Sequence, residues 1–239
     1  MLKRILEPEV MDTWEDAVEY DAMDHTEVNT AFAMRALELG PPSGLVLDGG
    51  TGTARIPILM VKENPNLHII GIDLSSNMLK LGETNIIDAD VAGNISLHLV
   101  DAKQPPFPDN HFDMVITNTV IHHIPDPMPF LKEVNRVVKT NAAILIRDLI
   151  RPEHQKAVDM LVKKYAADCT DHQRKLFQDS LMAAFTLEEV EAMLAESGIR
   201  GAQVVQSSDR HWSIERKWCK ELKKDFSLFP KGSLPTKGE

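Results

Sequence analysis

Apolar positions along the chain fall into two alternating rhythms. Short continuous runs such as LVLD (45–48), LHIIGID (67–73), ISLHLVD (95–101), FDMVITN (112–118) and AAILIRDL (142–149) predict buried strands. Between them lie stretches of helical period. In VNTAFAMRALEL (28–39), Val28, Phe32, Ala36 and Leu39 share one face, and Gly40, Pro41 and Pro42 end it. Further helices are expected over Ile56 to Glu63, over 75–89 with Ser75 as N-cap, and over 127–138. This alternation predicts a parallel sheet with helices on both faces.

The rhythm changes after residue 150. Two helical stretches, 153–167 and 171–184, follow each other with no strand between, so they read as a cap. Residues 186–198 form a well-signalled helix, with Thr186 and Glu189 as a capping box and Gly198 as its stop. AQVVQSS and HWSIERKW suggest two closing strands. The expected organisation is a single domain over 1–239: an N-terminal helical cap (1–40), a core (41–150), a helical cap insertion (151–185), and a C-terminal helix with closing strands (186–239).

Composition narrows the class. At 43% apolar and 26% charged, 239 residues suit one soluble α/β domain, and no apolar run approaches the roughly 18 residues of a membrane span. The start of the chain does not read as a secretory signal, so a cytoplasmic protein is expected. A net charge of −10 disfavours nucleic-acid partners. Residues 1–30 carry nine acids against two bases and residues 210–239 eight bases against four acids, an asymmetry that could help the ends meet. Cys169 and Cys219 stand alone, and no His, Cys or acid spacing announces a metal.

Candidate chemistry begins at VLDGGTGTAR (46–55). Gly49, Gly50 and Gly52 make a tight turn into a helix, but Arg55 occupies the third glycine of a dinucleotide fingerprint and no Lys completes a P-loop. Asp48, before the turn, suits a cation rather than a pyrophosphate. Asp73 ends the second strand where an acid grips ribose hydroxyls, and Asp101 ends the third. A nucleoside with a cationic amino-acid arm would satisfy all three.

On VLDGGTGTA, GIDLSSNML, VDAKQPPFPDNHFDMVITN, HHIPDP and the run ending AILIRD, the chain resembles the class I S-adenosylmethionine (SAM) dependent methyltransferases, in the group acting on quinones and other small molecules. The resemblance spans roughly residues 20–150. It implies a three-layer, Rossmann-like α/β fold with a seven-stranded, mostly parallel sheet, and SAM as cofactor. It assigns Asp48, Gly50 and Gly52, with Gly49 adjoining, to the methionine and nucleoside, and Asp73, with Leu74 and Met78 beside it, to the ribose side. Asp101 and Ala102 fall beside the adenine, Asn118 faces the methionine arm, and Tyr20 and His25 line that end from a covering N-terminal helix. Ala54 departs from the glycine often found at its position.

Catalytic candidates come from the crevice mouth: His122 after the fourth strand, Asp148 at the end of the fifth, and His211. In SDRHW (208–212), strand alternation would put Asp209 and His211 on one face, making His211 a base oriented by a carboxylate, while Trp212 and Trp218 could simply be core. His123, Arg147, His172 and Arg210 are candidates for substrate contact. The expected reaction is methyl transfer to a small molecule by a monomer or homodimer without nucleic-acid or membrane partners. A protein or RNA acceptor, favoured by the basic stretch Arg216 to Lys237, and a SAM-binding regulatory protein are the alternatives.

Overall fold

The computed structural model describes residues 2–7 and 13–220. Among these, helices α1 (Trp14–Ala22) and α2 (Thr26–Leu39) precede β1 (Gly44–Gly49), α3 (Arg55–Glu63), β2 (Leu67–Asp73), α4 (Ser76–Asp88) and β3 (Ile95–Leu99). Then follow β4 (Phe112–Asn118), a 3-10 turn at Ile121–His123, α5 (Met128–Val137) and β5 (Val138–Leu149). The chain continues through α6 (Gln155–Tyr165), α7 (Asp171–Ala183), α8 (Leu187–Ser197), β6 (Gln203–Gln206) and β7 (His211–Arg216).

The strands form one seven-stranded sheet in the order β3-β2-β1-β4-β5-β7-β6. The first five run parallel, and β7 enters antiparallel between β5 and β6. Parallel strands covered on both faces should be apolar throughout, and β4 and β5 are buried along most of their length. β3 at the sheet edge is largely exposed, as its alternating serine and histidine allow.

Two cores fill the two faces. One gathers Phe112, Phe130, Leu131, Val134, Val190 and Trp212 beneath α5 and α8, the other Phe32, Ala36, Met60, Met114 and Leu145 beneath α2 and α3. A smaller cluster of Leu149, Val158, Leu181 and Ala184, with Leu2 packed against it, joins the N-terminal segment to α6 and α7. Leu2 thus packs beside the end of β5, while α1 lies against α4 and α2 against α3.

Several local expectations hold in detail. Ser75 accepts a hydrogen bond from the Met78 N–H, Thr186 and Glu189 form the reciprocal capping box, and Gly198 ends α8 at φ 80°. β5 starts four residues earlier than expected, because Val138 already pairs with Phe112 before an irregularity shifts the register. The sequence reading placed strand geometry on Asp209 and Arg210, whereas β7 starts only at His211. Most of the basic stretch from Arg216 to Lys237 lies outside the described residues, and with it any meeting of the two ends.

Candidate functional site

The order of strands reverses between β1 and β4, and a crevice opens at their carboxyl ends, where such sheets receive ligands. A cavity of about 550 Å³ occupies it. Its floor is the turn after β1, whose conformation explains its composition. Gly50, Gly52 and Ala54 all have positive φ, at 73°, 55° and 60°. Glycine adopts this region without steric cost, while alanine at 54 accepts strain of about 1–2 kcal/mol. Alanine thus stands at a position whose backbone angle favours glycine. Thr119, a β-branched residue in the cavity wall at φ 60°, carries the same kind of strain.

Asp73 stitches this turn to the next. One carboxylate oxygen accepts from the Gly52 N–H at 2.8 Å and the other from the Ser75 N–H at 2.9 Å. Burial nevertheless outweighs these bonds and raises its pKa. Asp48 is buried without a cationic neighbour, and desolvation, with the Asp73 charge adding to it, pushes its pKa up to about 7. Two carboxylates whose ionisation burial disfavours stand in one cavity and form a latent cation site.

Leu74, Met78, Asp101, Ala102 and Asn118 line the same cavity, as do Tyr20, His25 and His123. Asp101 folds back to accept from the Lys103 N–H, 2.8 Å away. Gly49, expected among them, does not line the cavity: its carbonyl accepts from the Thr117 hydroxyl, and the Phe130 ring lies where a methyl on it would point. From the cap, Tyr20 leans over Gly52, where an added methyl would meet its ring at 3.9 Å. Burial, with Asp73, Asp21 and Asp48 around it, raises the Tyr20 pKa. His25 packs tilted against Tyr20 with the ring centroids 5.3 Å apart, burial lowers its pKa, and its enclosed Nε2 lacks a hydrogen-bond partner. An orphan ring nitrogen in a cavity wall fits a ligand that supplies the missing bond.

Other candidates lie behind or away from this wall. Arg147 donates to Asn118 Oδ1 and to the Val28 carbonyl, both at 2.9 Å, and covers the Phe32 ring. It orients Asn118 rather than lining the cavity. His122 and Asp148 form a buried pair: Nδ1 lies 2.6 Å from Oδ1, and the His122 N–H donates to Oδ2 at 2.9 Å. Burial alone would lower the His122 pKa, but the Asp148 carboxylate overrides it and raises it to about 9.

The pairing expected of Asp209 with His211 is not formed. Asp209 accepts from Lys164 and Tyr165, each at 2.7 Å, because it precedes β7 in a turn that faces α6. His211 bonds instead to the Ser208 hydroxyl at 2.9 Å, and burial, with Arg147 and Arg210 nearby, lowers its pKa to about 4. Arg210 stacks on the Tyr165 ring at 3.4 Å. Trp212 is core, as its competing reading had it, and Trp218 packs against the opposite cluster. His172 is exposed in the first turn of α7, and His172, Arg210 and His211 do not line the cavity.

Sequence reasoning missed two cap attachments. Asp21 takes both bonds of the Arg55 guanidinium, at 2.6 and 2.9 Å, and one from Asn85, tying α1 across the glycine turn. Arg4 donates to the carbonyls of Ala183, Pro125, His122 and Ile124 and stacks on Phe185, seating the N-terminal segment. Neither contact leaves a local signature.

Residues 43–221 match the family described as a methyltransferase domain. The demethylmenaquinone methyltransferase of Listeria monocytogenes is 39% identical over 108 residues, 45% of this chain and 45% of that protein. The ubiquinone/menaquinone biosynthesis C-methyltransferase UbiE of Shewanella is 33% identical over 118 residues, 48% and 46% of the two chains. The matched part thus spans about half the length of these curated relatives. Among solved structures, a SAM dependent methyltransferase from Aquifex aeolicus superposes with a TM-score of 0.64 at 19% identity, covering 85% of this chain and 97% of that one. A phosphoethanolamine N-methyltransferase from Haemonchus contortus, solved with S-adenosylmethionine, gives 0.62 at 20% identity over 81% and 43%. Among the described residues, no helix is long and apolar enough to cross a membrane.

Proposed function

The chain belongs to the SAM-dependent methyltransferases, and from that premise we propose that it transfers the SAM methyl group to a small, quinone-related acceptor. The observation that carries the reading is the joining of Asp48, Asp73 and Asp101, from the ends of three neighbouring strands, in one cavity with the glycine turn. Asp73 would hold the ribose hydroxyls, Asp48 the cationic methionine end, and Asp101 with Ala102 the adenine edge. Asn118, fixed by Arg147, would bond the methionine arm.

Bound SAM supplies an electrophilic methyl on a sulfonium. The acceptor's lone pair or carbanion forms the new bond as the carbon–sulfur bond breaks, leaving neutral S-adenosylhomocysteine. Holding the two in line contributes about 7–11 kcal/mol of barrier lowering, a task that falls to the cap helices and the strained Thr119 turn. Where the acceptor must lose a proton, His25 and His123 are the imidazoles of the cavity wall. His122 and Asp148 act one layer behind them as positioning residues. The quinone-related acceptor is supported by the curated relatives, whose names state that chemistry.

Two expected results test the cofactor assignments. Asp73→Ala should weaken SAM binding by about 1.5–3 kcal/mol, the scale of hydrogen bonds to a charged group; unchanged affinity in calorimetry would remove Asp73 from the ribose role. Asp48 links binding to pH. Its pKa is raised on folding, so its protonated form favours the folded chain, and that contribution is lost as pH rises through about 7. The ligand ammonium needs the ionised form, so SAM affinity should rise about eight-fold from pH 6 to 7.5. Asp48→Asn should flatten the profile, and a wild-type profile already flat would exclude Asp48 from the cation role.

The acceptor itself is found by incubating the protein with methyl-labelled SAM and a fractionated cell extract. Label in a quinone-type metabolite supports the proposal, and label confined to protein or RNA would replace it with a macromolecular acceptor. SAM binding without label in any fraction would favour a regulatory SAM-binding role.

A further inference from the structure

Three ligand-type atoms converge behind the wall formed by His123. Glu7 Oε1, from the N-terminal segment, lies 3.1 Å from His122 Nε2 and 3.3 Å from His123 Nδ1. All three ligand atoms fall within 4.8 Å of one another. Atoms bound tetrahedrally at about 2.0 Å from a zinc ion stand about 3.3 Å apart, so both contacts to Glu7 have the length of a coordination edge.

The carboxylate is held inside the fold. Glu7 Oε1 is enclosed, with its side chain only 10% exposed, yet it has no hydrogen-bond partner although two imidazole nitrogens lie close by. Both ring nitrogens face this one carboxylate oxygen, so the three atoms border a single shared space.

The surroundings match those of a metal ligand set. A metal-bound histidine usually gives its other ring nitrogen to a carboxylate, which fixes the tautomer and aims the lone pair. His122 does so, with Nδ1 2.6 Å from the fully buried Asp148. The second oxygen of Glu7 accepts from the Ser180 hydroxyl at 3.4 Å. Arg4, three residues before Glu7, bonds the carbonyls of His122 and Ile124, so the segment carrying the carboxylate is fastened to the turn carrying the imidazoles. Charge agrees as well: the carboxylates of Glu7 and Asp148 flank the site, and a divalent cation that displaces the His122 proton would take its place beside them.

We propose that Glu7, His122 and His123 form a three-ligand site for a divalent transition metal of the zinc class. Two imidazoles and one carboxylate are borderline donors that suit zinc over magnesium or calcium, and three protein ligands leave a fourth position for water or another ligand. Because His123 also lines the cavity, the ion would stand at its wall. The site is independent of the methyl acceptor and holds even if the quinone reading fails.

The test uses the full chain after chelator treatment, titrated with zinc by calorimetry and with cobalt(II) by visible absorption. The expected result is one ion per chain, with the intense d–d bands of a four-coordinate cobalt site. Glu7→Gln and, independently, His123→Ala should each weaken zinc binding by more than the roughly 10- to 100-fold that outer-shell changes produce. SAM affinity of Glu7→Gln, whose residue does not line the cavity, should stay at the wild-type level and serves as the folding control. Failure of the wild-type chain to bind zinc stoichiometrically would overturn the proposal, as would binding that survives both substitutions. Should Glu7→Gln not fold, His123→Ala decides alone.

Discussion

Gly50→Ala is expected to destabilise the protein by about 2–5 kcal/mol and to abolish measurable SAM binding. Two costs add. Gly50 sits at φ 73°, where a Cβ costs about 1–2 kcal/mol. That Cβ would lie 2.3 Å from Val120 Cγ2 and 3.0 Å from Cγ1, a collision that Val120 or the turn carrying it must move to relieve, at about 1–3 kcal/mol more. Val120 lines the cavity beside the strained Thr119, so the displacement would spread from the floor to the wall. Chemical denaturation with calorimetric SAM titration reads both effects. Wild-type stability would mean that the turn is looser than its backbone angles imply.

Trp212→Ala should cost about 3–5 kcal/mol. Trp212 is among the largest fully buried side chains, at 1% exposure, and pairs with Asp148 across the β5–β7 ladder within the core beneath α5 and α8. Its indole nitrogen is buried without a partner, so Trp212→Phe should lose far less and could be neutral. A substrate contact would reverse this pattern, leaving stability intact and raising KM in both variants. Urea denaturation of the pair, read with SAM affinity, distinguishes packing from binding.

The same tryptophan shows where the sequence was legible. Elements whose signals are local came through nearly intact: β2 and β4 match their apolar runs residue for residue, and the caps at Ser75 and Thr186 form as their side chains dictate. The acids at strand ends were readable for the same reason, since a strand's last residue meets the crevice whatever packs elsewhere. SDRHW misled because alternation was applied two residues before the strand begins. Asp209 then found Lys164 and Tyr165, partners some 45 positions away that no local pattern announces.

What the sequence hid was long-range by nature. Glu7 approaches His122 and His123 on a segment that Arg4, through four carbonyl groups, and the Ile5 N–H, through the Met182 carbonyl, fasten to distant turns. Spacing rules for metal ligands look for neighbours on one helix or one knuckle, and this set is divided between a chain terminus and an inter-strand turn. A strained Thr119 is equally invisible before the backbone is known.

Arg55 began as the residue that broke a nucleotide fingerprint, and in the folded chain it is the clasp of the cover. The Asp21–Arg55 contact has ideal two-pronged geometry, but the arginine is half exposed. Such surface pairs contribute at most about 1 kcal/mol and weaken with salt. The share of the hold on α1 that this clasp supplies is therefore expected to fall as ionic strength rises, while the packing of α1 on α4 is not.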